Sequence, residues 1–225
     1  MTTQCVVRAA ERPSRSETLD VPSKPKNRAK TLEKIMKLYF IRHGETENNL
    51  AKRHSGHSKT ILTEKGILDA KIAGEKLKGI SFDKIYTSDL PRTQQTAKAA
   101  LPDCEFEILP LIKEINVGKC TDLLTADCEA KWGDTYKECR ANFDYTPFGG
   151  ENSDMLRARA REFLDLVAQS GFETVAAFSH GAFIKHTLDV VLGCDLDKTA
   201  FYTENGGIFI YEFKNEKWRL VKWNV

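Results

Sequence analysis

Short strand-like runs alternate with longer amphipathic segments along most of the chain. The runs cover residues 37–42, 82–86, 105–109 and 174–178, and polar or turn-forming residues bound each of them, as is typical of buried strands. Between the runs, apolar residues recur every three or four positions, which indicates helices with one buried face. This alternation predicts an α/β fold of three layers, α/β/α, with a mainly parallel central sheet.

Capping residues place the first long helix. It is predicted from Thr63, its N-cap, to about Leu77, and its apolar face is marked by two pairs four residues apart, Leu68 with Ile72 and Ala73 with Leu77. Gly79 then ends it, because glycine readily adopts the left-handed conformation found after helices.

Three further helices follow from the same pattern. One begins near Leu90 and holds Arg92 in its first turn. A second is marked by the apolar spacing over residues 156–167, and we expect its arginines on a solvated face. A third covers residues 184–191 and ends at Gly193.

Two segments depart from this alternation. Between residues 120 and 148, aromatic residues stand among charged ones without a clear period, and we interpret this segment as a helical lid or cap. At the C-terminus, residues 207–213 and 218–223 flank a polar turn, so a β-hairpin is predicted there.

Charge is distributed unevenly along the 225 residues. Residues 1–35 contain eight Lys/Arg and four Asp/Glu, which leaves 26 and 28 for the remainder. The first segment is poor in apolar residues and is interpreted as a disordered basic extension, with a targeting or nucleic-acid-binding arm as the alternative. Residues 36–225 then form one domain, and its near-neutral charge disfavours nucleic acid as a partner. Because the sequence has no apolar stretch of membrane-spanning length, we expect no membrane partner and a cytoplasmic location.

The six cysteines form no Cys-x-x-Cys pair and no zinc spacing. Free thiols in a reducing compartment are therefore expected, with an oxidation-sensitive lid as the alternative, since three of the cysteines fall between residues 120 and 139.

Two histidines directly follow predicted strands. Arg42 is the last residue of the first run and is followed by His43 and Gly44, and after Ser179 the run at 174–178 is followed by His180 and Gly181. Ligands of open α/β sheets bind at the carboxyl ends of the strands, so the two imidazoles are expected to meet in one site.

The sequence resembles the histidine phosphatase superfamily, the phosphoglycerate mutase-like proteins. The motifs that carry the resemblance occur in the family's order: Arg42-His43-Gly44, Ser55-Gly56-His57, Leu62-Thr63-Glu64-Lys65-Gly66, Ser88-Asp89-Leu90-Pro91-Arg92-Thr93, Leu111-Ile112-Lys113-Glu114, Gly149-Gly150-Glu151 and His180-Gly181. The resemblance implies the α/β/α fold and a covalent phosphohistidine on His43. Among the phosphatases, the chain looks most similar to α-ribazole phosphatases and broad-specificity bacterial enzymes.

The chemistry of a phosphate ester explains these residue types. A neutral imidazole attacks phosphorus without first losing a proton, which suits His43 as the nucleophile. Arg42 and Arg92 offer bidentate donors to the phosphate, and His180, if protonated, adds a third cation. Gly44 and Gly181 let the main chain approach the anion closely.

The remaining site residues come from the family pattern. Asn49 occupies the position of an asparagine that contacts the phosphate, Thr46 is a further donor, and Ser55 and Gly56 match positions that contact the substrate.

Glu114 matches the family's general acid, which protonates the leaving group. The motif after it departs from the usual pattern, so Asp122 and Asp127 remain alternatives. His54 and His57 are interpreted as residues of the pocket rim, and we expect neither a metal ion nor a cofactor.

The sequence is compatible with two enzymatic functions and, ranked below them, one non-catalytic function. The first is a metal-independent phosphomonoesterase acting on a small phosphorylated metabolite, with water as the acceptor. The second is a cofactor-dependent phosphoglycerate mutase, in which the phosphoenzyme returns its phosphate to a hydroxy acid. A non-catalytic phosphate-binding adaptor ranks last, because both histidines are present.

Overall fold

A computed structural model describes residues 35–225, and one six-stranded sheet forms its centre. The strands are β1 (Met36–Arg42), β2 (Lys84–Thr87), β3 (Glu107–Ile108), β4 (Thr174–Ser179), β5 (Ile208–Lys214) and β6 (Lys217–Lys222). Their order is β3-β2-β4-β1-β5-β6, with β1, β2, β3 and β4 mutually parallel and the β5–β6 hairpin antiparallel. The predicted mainly parallel sheet is confirmed.

Helices cover both faces of the sheet. They are α1 (Glu47–Leu50), α2 (Glu64–Lys76), α3 (Pro91–Ala100), α4 (Thr125–Asn142), α5 (Ser153–Gln169) and α6 (Gly181–Leu192). Along β1, Leu38 and Phe40 pack in one core cluster with residues of α5 and α6, whereas Tyr39 and Ile41 pack in another with residues of α2 and α3. Because neighbouring side chains of a strand point to opposite faces, this alternation gives the three expected layers.

Two predicted elements differ in extent from the structure. The strand predicted over residues 105–109 has only two residues, because just Tyr86 and Thr87 of β2 pair with it. On α2, the predicted pair Ala73 and Leu77 is buried, whereas the other predicted pair, Leu68 and Ile72, is 56% and 47% exposed. Ala70 and Ala73 are small residues that allow α2 to pack closely against its neighbours.

The predicted lid over residues 120–148 is helical, as expected. Helix α4 occupies most of it and is kinked at Gly133, whose φ of 54° breaks the helical conformation. The segment has a core cluster of its own, which includes the three buried thiols Cys120, Cys128 and Cys139. All five cysteines of the described residues are unpaired.

Two sequence predictions concern the ends of the chain. The hairpin turn is formed by Asn215 and Glu216, with φ of 52° and 60°, the positive values that match the twist of a two-residue hairpin. The predicted basic extension lies outside the described residues, apart from Ile35, and stays a prediction. Within residues 35–225, no helix is long and apolar enough to cross a membrane.

Candidate active site

The two histidines meet at one edge of the sheet. Strands β1 and β4 are parallel neighbours, and their final residues Arg42 and Ser179 are paired in register. His43 and His180 follow directly, and their ring centroids lie 5.2 Å apart. The expected convergence of the two imidazoles is therefore found.

A polar cleft of about 350 Å³ opens beside them. Its walls include seven of the residues predicted for the site, namely Arg42, His43, Asn49, Ser55, Gly56, Glu114 and Gly181. A larger, mostly apolar groove lies between the C-terminal ends of α2 and α3, but it contains none of the predicted site residues. The smaller cleft is therefore the candidate active site.

The imidazole of His43 is held as one neutral tautomer. Its Nδ1 lies 2.7 Å from the carbonyl oxygen of Gly44, and since a carbonyl only accepts, Nδ1 carries the proton and Nε2 the lone pair. Burial lowers the pKa of His43 well below 6.5, and the positive charges of Arg92 and Arg42 lower it further. At neutral pH the imidazole is an unprotonated base with a free Nε2.

Arg42 is the predicted arginine that faces the cleft. Its Nη1 donates to the carbonyl oxygen of Thr203, and its Nε has no protein partner among the described residues. Gly181 lies close beside it: a Cβ at this position would lie 3.1 Å from Oγ1 of Thr203 and 3.3 Å from Nε of Arg42, which is tighter than an ordinary contact. Burial lowers the pKa of Arg42, although the charge of Glu114 opposes this.

Arg92 is not among the residues that line the cleft, although its charge acts on both His43 and His180. It is fully buried, and it donates to the carbonyl oxygens of Ser58 (3.1 Å) and Gly56 (2.9 Å). Burial lowers the pKa of Arg92 to about 10. Its Nε has no partner within residues 35–225, so the guanidinium both anchors the loop around Gly56 and keeps one donor unused.

His180 is fully buried and is oriented by a serine. Its Nε2 lies 2.7 Å from Oγ of Ser88, while its Nδ1 has no partner among the described residues. Burial lowers the pKa of His180 well below 6.5, and Arg92, His43 and Arg42 lower it further. The protein's own charges favour a neutral His180, and its protonation beside a bound phosphate stays a prediction.

Gly44 and Thr46 have structural roles that the sequence did not reveal. The N–H of Gly44 donates to Oγ1 of Thr96 (3.1 Å), and a Cβ on Gly44 would lie 2.1 Å from the carbonyl oxygen of Gly66. Glycine is therefore required here by close packing against α2. Thr46 is buried and caps α1 by accepting a hydrogen bond from the N–H of Asn49. Neither residue is among the wall residues of the cleft, and their contact with a phosphate stays a prediction.

Asn49, and not Asn48, reaches the cleft, as the family pattern implies. Its Oδ1 accepts from the N–H of Thr46 (3.1 Å) and from Nδ2 of Asn205 (3.4 Å). The same Nδ2 of Asn205 donates to the carbonyl oxygen of His43 (3.0 Å). These bonds fix the orientation of the Asn49 amide and connect it to the His43 main chain.

Glu114 is the one carboxylate of the three candidates that lines the cleft. Its Oε1 accepts from the main-chain N–H groups of Ile115 (3.0 Å) and of Ala182 (3.2 Å), in the first turn of α6. Asp122 instead accepts from Nδ2 of Asn48 (2.6 Å), and Asp127 is exposed in the first turn of α4. The geometry therefore favours Glu114.

The two rim histidines stabilise the cleft walls. His54 lines the cleft, and its Nε2 makes a short hydrogen bond to the hydroxyl of Tyr136 on the lid helix α4. His57 lies outside the lining, and its Nε2 donates to the main-chain carbonyl of Glu114 (2.9 Å). Burial is the main cause that lowers the pKa of both histidines.

One predicted solvated arginine instead supports Glu114. Arg159 on α5 forms an ion pair with Glu151 and donates to the carbonyl oxygens of Leu111 (2.7 Å) and Lys113 (2.9 Å). The prediction failed because these partners are main-chain atoms of a loop, which no side-chain pattern reveals.

Several cleft residues were not found from the sequence. They are Arg53, Ile115, Val117, Phe143, Tyr145, Ala182, Lys185, Tyr202 and Thr203. The sequence could have indicated Lys185, because this residue stands four positions after Gly181 and hence on the same face of α6. Tyr202 and Thr203 lie in an irregular loop, where no periodicity indicates direction.

The chain is similar to proteins of named activity. The chain is 37% identical over 131 residues to a 2,3-bisphosphoglycerate-dependent phosphoglycerate mutase of Bradyrhizobium sp. strain BTAi1, a match that covers 55% of the chain and only 63% of that relative. It is 35% identical over 155 residues to the adenosylcobalamin/alpha-ribazole phosphatase of Salmonella typhimurium, covering 64% of the chain and 74% of the relative. The alpha-ribazole phosphatase of Shigella flexneri superposes with a TM-score of 0.78 at 25% identity, covering 84% and 96% of the two chains.

These relatives include both phosphatases and mutases, which are the two enzymatic functions weighed from the sequence. The family model of the histidine phosphatase superfamily, branch 1, matches residues 38–225. The chain belongs to this superfamily.

Proposed function

We propose that this protein is a phosphomonoesterase that hydrolyses a small phosphorylated metabolite through a phosphohistidine on His43. The observation that carries the proposal is the tautomer of His43. With Nδ1 bonded to Gly44, the lone pair of Nε2 is available in the cleft beside Arg42. A nucleophile for phosphorus needs that lone pair together with nearby positive charge.

In the proposed first step, Nε2 of His43 attacks phosphorus and the bond to the ester oxygen breaks. Arg42 and the unused Nε of Arg92 would stabilise the charge on the phosphoryl oxygens, and Nδ1 of His180 would contact one of them. Glu114 would give its proton to the departing alkoxide. In the second step Glu114 would take a proton from water, which attacks phosphorus and releases inorganic phosphate with a neutral His43.

A phosphoglycerate mutase is the second candidate, because relatives of that activity are 37% identical to this chain over the matched part. Both functions share the phosphohistidine and differ in the acceptor.

We place the reaction in the cytoplasm, which agrees with the unpaired thiols of the described cysteines.

The test is a panel of phosphomonoesters given to the purified protein, with inorganic phosphate and a phosphohistidine as the two readouts. The panel includes α-ribazole phosphate, phosphoserine, sugar phosphates and 3-phosphoglycerate. We expect phosphate release and an acid-labile, base-stable label on His43. A base-labile phosphoester, or no turnover of any substrate, would contradict the proposal.

A further inference from the structure

The cations around the cleft are held differently from those elsewhere in the molecule. Outside the cleft, shielded cations such as Lys113, Arg159 and Lys198 have carboxylate partners. At the cleft, Arg42 and Lys185 have none at salt-bridge distance within residues 35–225.

Main-chain carbonyl oxygens fix these cleft cations. Arg42 donates to Thr203, Arg92 to Gly56 and Ser58, and Lys185 to Lys198 at 2.6 Å. A carbonyl oxygen orients a cation but does not neutralise it. Each of these side chains therefore keeps a full positive charge for a ligand.

One phosphoryl group does not account for all of this charge. A phosphomonoester brings close to two negative charges, which Arg42 and Arg92 match. Lys185 is then a further cation that the phosphoryl group does not neutralise, and it is half-buried in the wall of the cleft. Burial lowers the pKa of Lys185, and the charge of Arg42 lowers it further. A shielded ammonium in this setting is stabilised by an anionic ligand.

Lys185 lies in the wall of the cleft and in the wall of a neighbouring cavity. This recess of about 490 Å³ shares three wall residues with the cleft, namely Phe143, Tyr145 and Lys185. The other cations of the recess, Lys137, Arg140 and Lys198, each form an ion pair with a carboxylate, so Lys185 is the recess cation without such a partner among residues 35–225. A leaving group that extends from the phosphate past the two aromatic rings would meet Lys185 first.

We propose that the leaving group of the substrate carries a second anionic group, a carboxylate or a second phosphate, and that Lys185 binds this group where the cleft meets the recess. This inference rests on the proposed phosphatase function and adds a substrate class to it. Lys185 acts on specificity and takes no part in the bond changes at phosphorus.

Matched substrate pairs test the proposal on the purified full-length chain. 3-Phosphoglycerate and glycerol 3-phosphate differ by a carboxylate in place of a hydroxymethyl group. 1,3-Propanediol bisphosphate and 3-hydroxypropyl phosphate differ by the second phosphate. We expect wild-type kcat/KM to favour the anionic member of at least one pair by about tenfold, the scale of one charged contact.

Substitutions of Lys185 then test whether this residue causes the preference for the anionic substrate. Lys185→Met should bring the ratio within the preferred pair close to one, whereas Lys185→Arg should largely keep it. Lys217→Met removes a positive charge from an exposed position on β6 and should leave the ratio unchanged. An equal loss on both members of the pair would assign Lys185 to the anchoring of the Lys198 loop and overturn the proposal.

The wild-type ratio needs no variant, so a lack of preference in both pairs overturns the proposal even if Lys185→Met does not fold. p-Nitrophenyl phosphate separates this inference from the proposed function, because its leaving group has no second anion. If p-nitrophenyl phosphate is hydrolysed but neither pair shows a preference, the proposed phosphatase function is supported and the anion site at Lys185 is contradicted. If no phosphomonoester is turned over, both proposals are contradicted.

Discussion

Arg159 and Glu151 form a bidentate ion pair, and both side chains are hydrogen-bonded to the main chain around Glu114. Nε and Nη2 of Arg159 lie 3.1 and 3.0 Å from the two carboxylate oxygens of Glu151. Arg159 also holds the carbonyl oxygens of Leu111 and Lys113 on one side of Glu114, and Glu151 accepts from the N–H of Asn116 on the other (2.8 Å). The pair thus fixes the main chain on both sides of the candidate general acid.

Arg159→Lys should therefore impair proton transfer more than binding. Lysine keeps the charge but lacks the planar fork that reaches several acceptors at once. We expect kcat for alkyl phosphates to fall about tenfold, with a smaller fall for p-nitrophenyl phosphate, whose leaving group needs no proton. Arg161→Lys, on an exposed position of the same helix, is the matched control. Equal losses on alkyl and aryl substrates would indicate a purely structural role for Arg159.

Glu114→Gln tests the general acid itself. The amide keeps the shape of the side chain but has no acidic proton, so turnover of alkyl phosphates should fall by about a hundredfold or more, and that of p-nitrophenyl phosphate far less. Steady-state kinetics with both substrates measure the difference. Asp127→Asn, exposed on α4, should change neither rate. If the loss on p-nitrophenyl phosphate were as large, Glu114 would not be the acid.

His43→Asn should abolish the covalent intermediate. Asparagine retains a polar side chain but cannot form a stable bond to phosphorus, so activity should fall by about a thousandfold or more. Rapid-quench labelling should find no acid-labile phosphate on the variant, while its circular dichroism stays native. Activity above about one per cent of wild type would require another nucleophile.

The sequence predicted the edge of the candidate site because strand ends can be recognised from the local sequence. His43 and His180 follow apolar strands, and parallel strands bring such ends to one edge. Contacts between distant segments were not predictable in the same way. The sequence analysis interpreted Gly44 as a phosphate-binding glycine. In the structure a side chain is excluded there because a Cβ would collide with the carbonyl oxygen of Gly66. The carbonyl that holds Lys185 belongs to Lys198, in a loop with no periodic pattern.

Stability should fall as the pH drops below about 6.5. All five histidines have pKa values lowered from 6.5, chiefly by burial. In this range the unfolded chain binds more protons than the folded one, so the stabilisation is complete above pH 6.5 and is lost as the pH falls towards the lowered native values.

Each buried histidine, such as His43, His180 or His186, contributes at most about 1.4 kcal/mol per pH unit to this slope. The melting temperature should be level from pH 7 to 8 and should decrease from pH 6.5 to 5, a range above the ordinary titration of the carboxylates. His186→Asn, outside the cleft, should reduce the slope. A melting temperature independent of pH over this range would show that the histidines titrate normally in the folded protein.

Hydrolysis and mutase activity differ in how long the phosphoenzyme survives. A mutase must keep water from phosphorus until a hydroxy acid arrives, which requires a fully closed site. Here Tyr202, a residue of the cleft wall, is 71% exposed, so the cleft is open to water on that side. We expect the phosphoenzyme to decay quickly to inorganic phosphate without an acceptor, and 2,3-bisphosphoglycerate not to stimulate conversion of 3- to 2-phosphoglycerate. Rapid-quench decay of labelled His43 and a coupled mutase assay measure the two outcomes. Fast interconversion that depends on 2,3-bisphosphoglycerate, with little phosphate released, would make this protein a mutase.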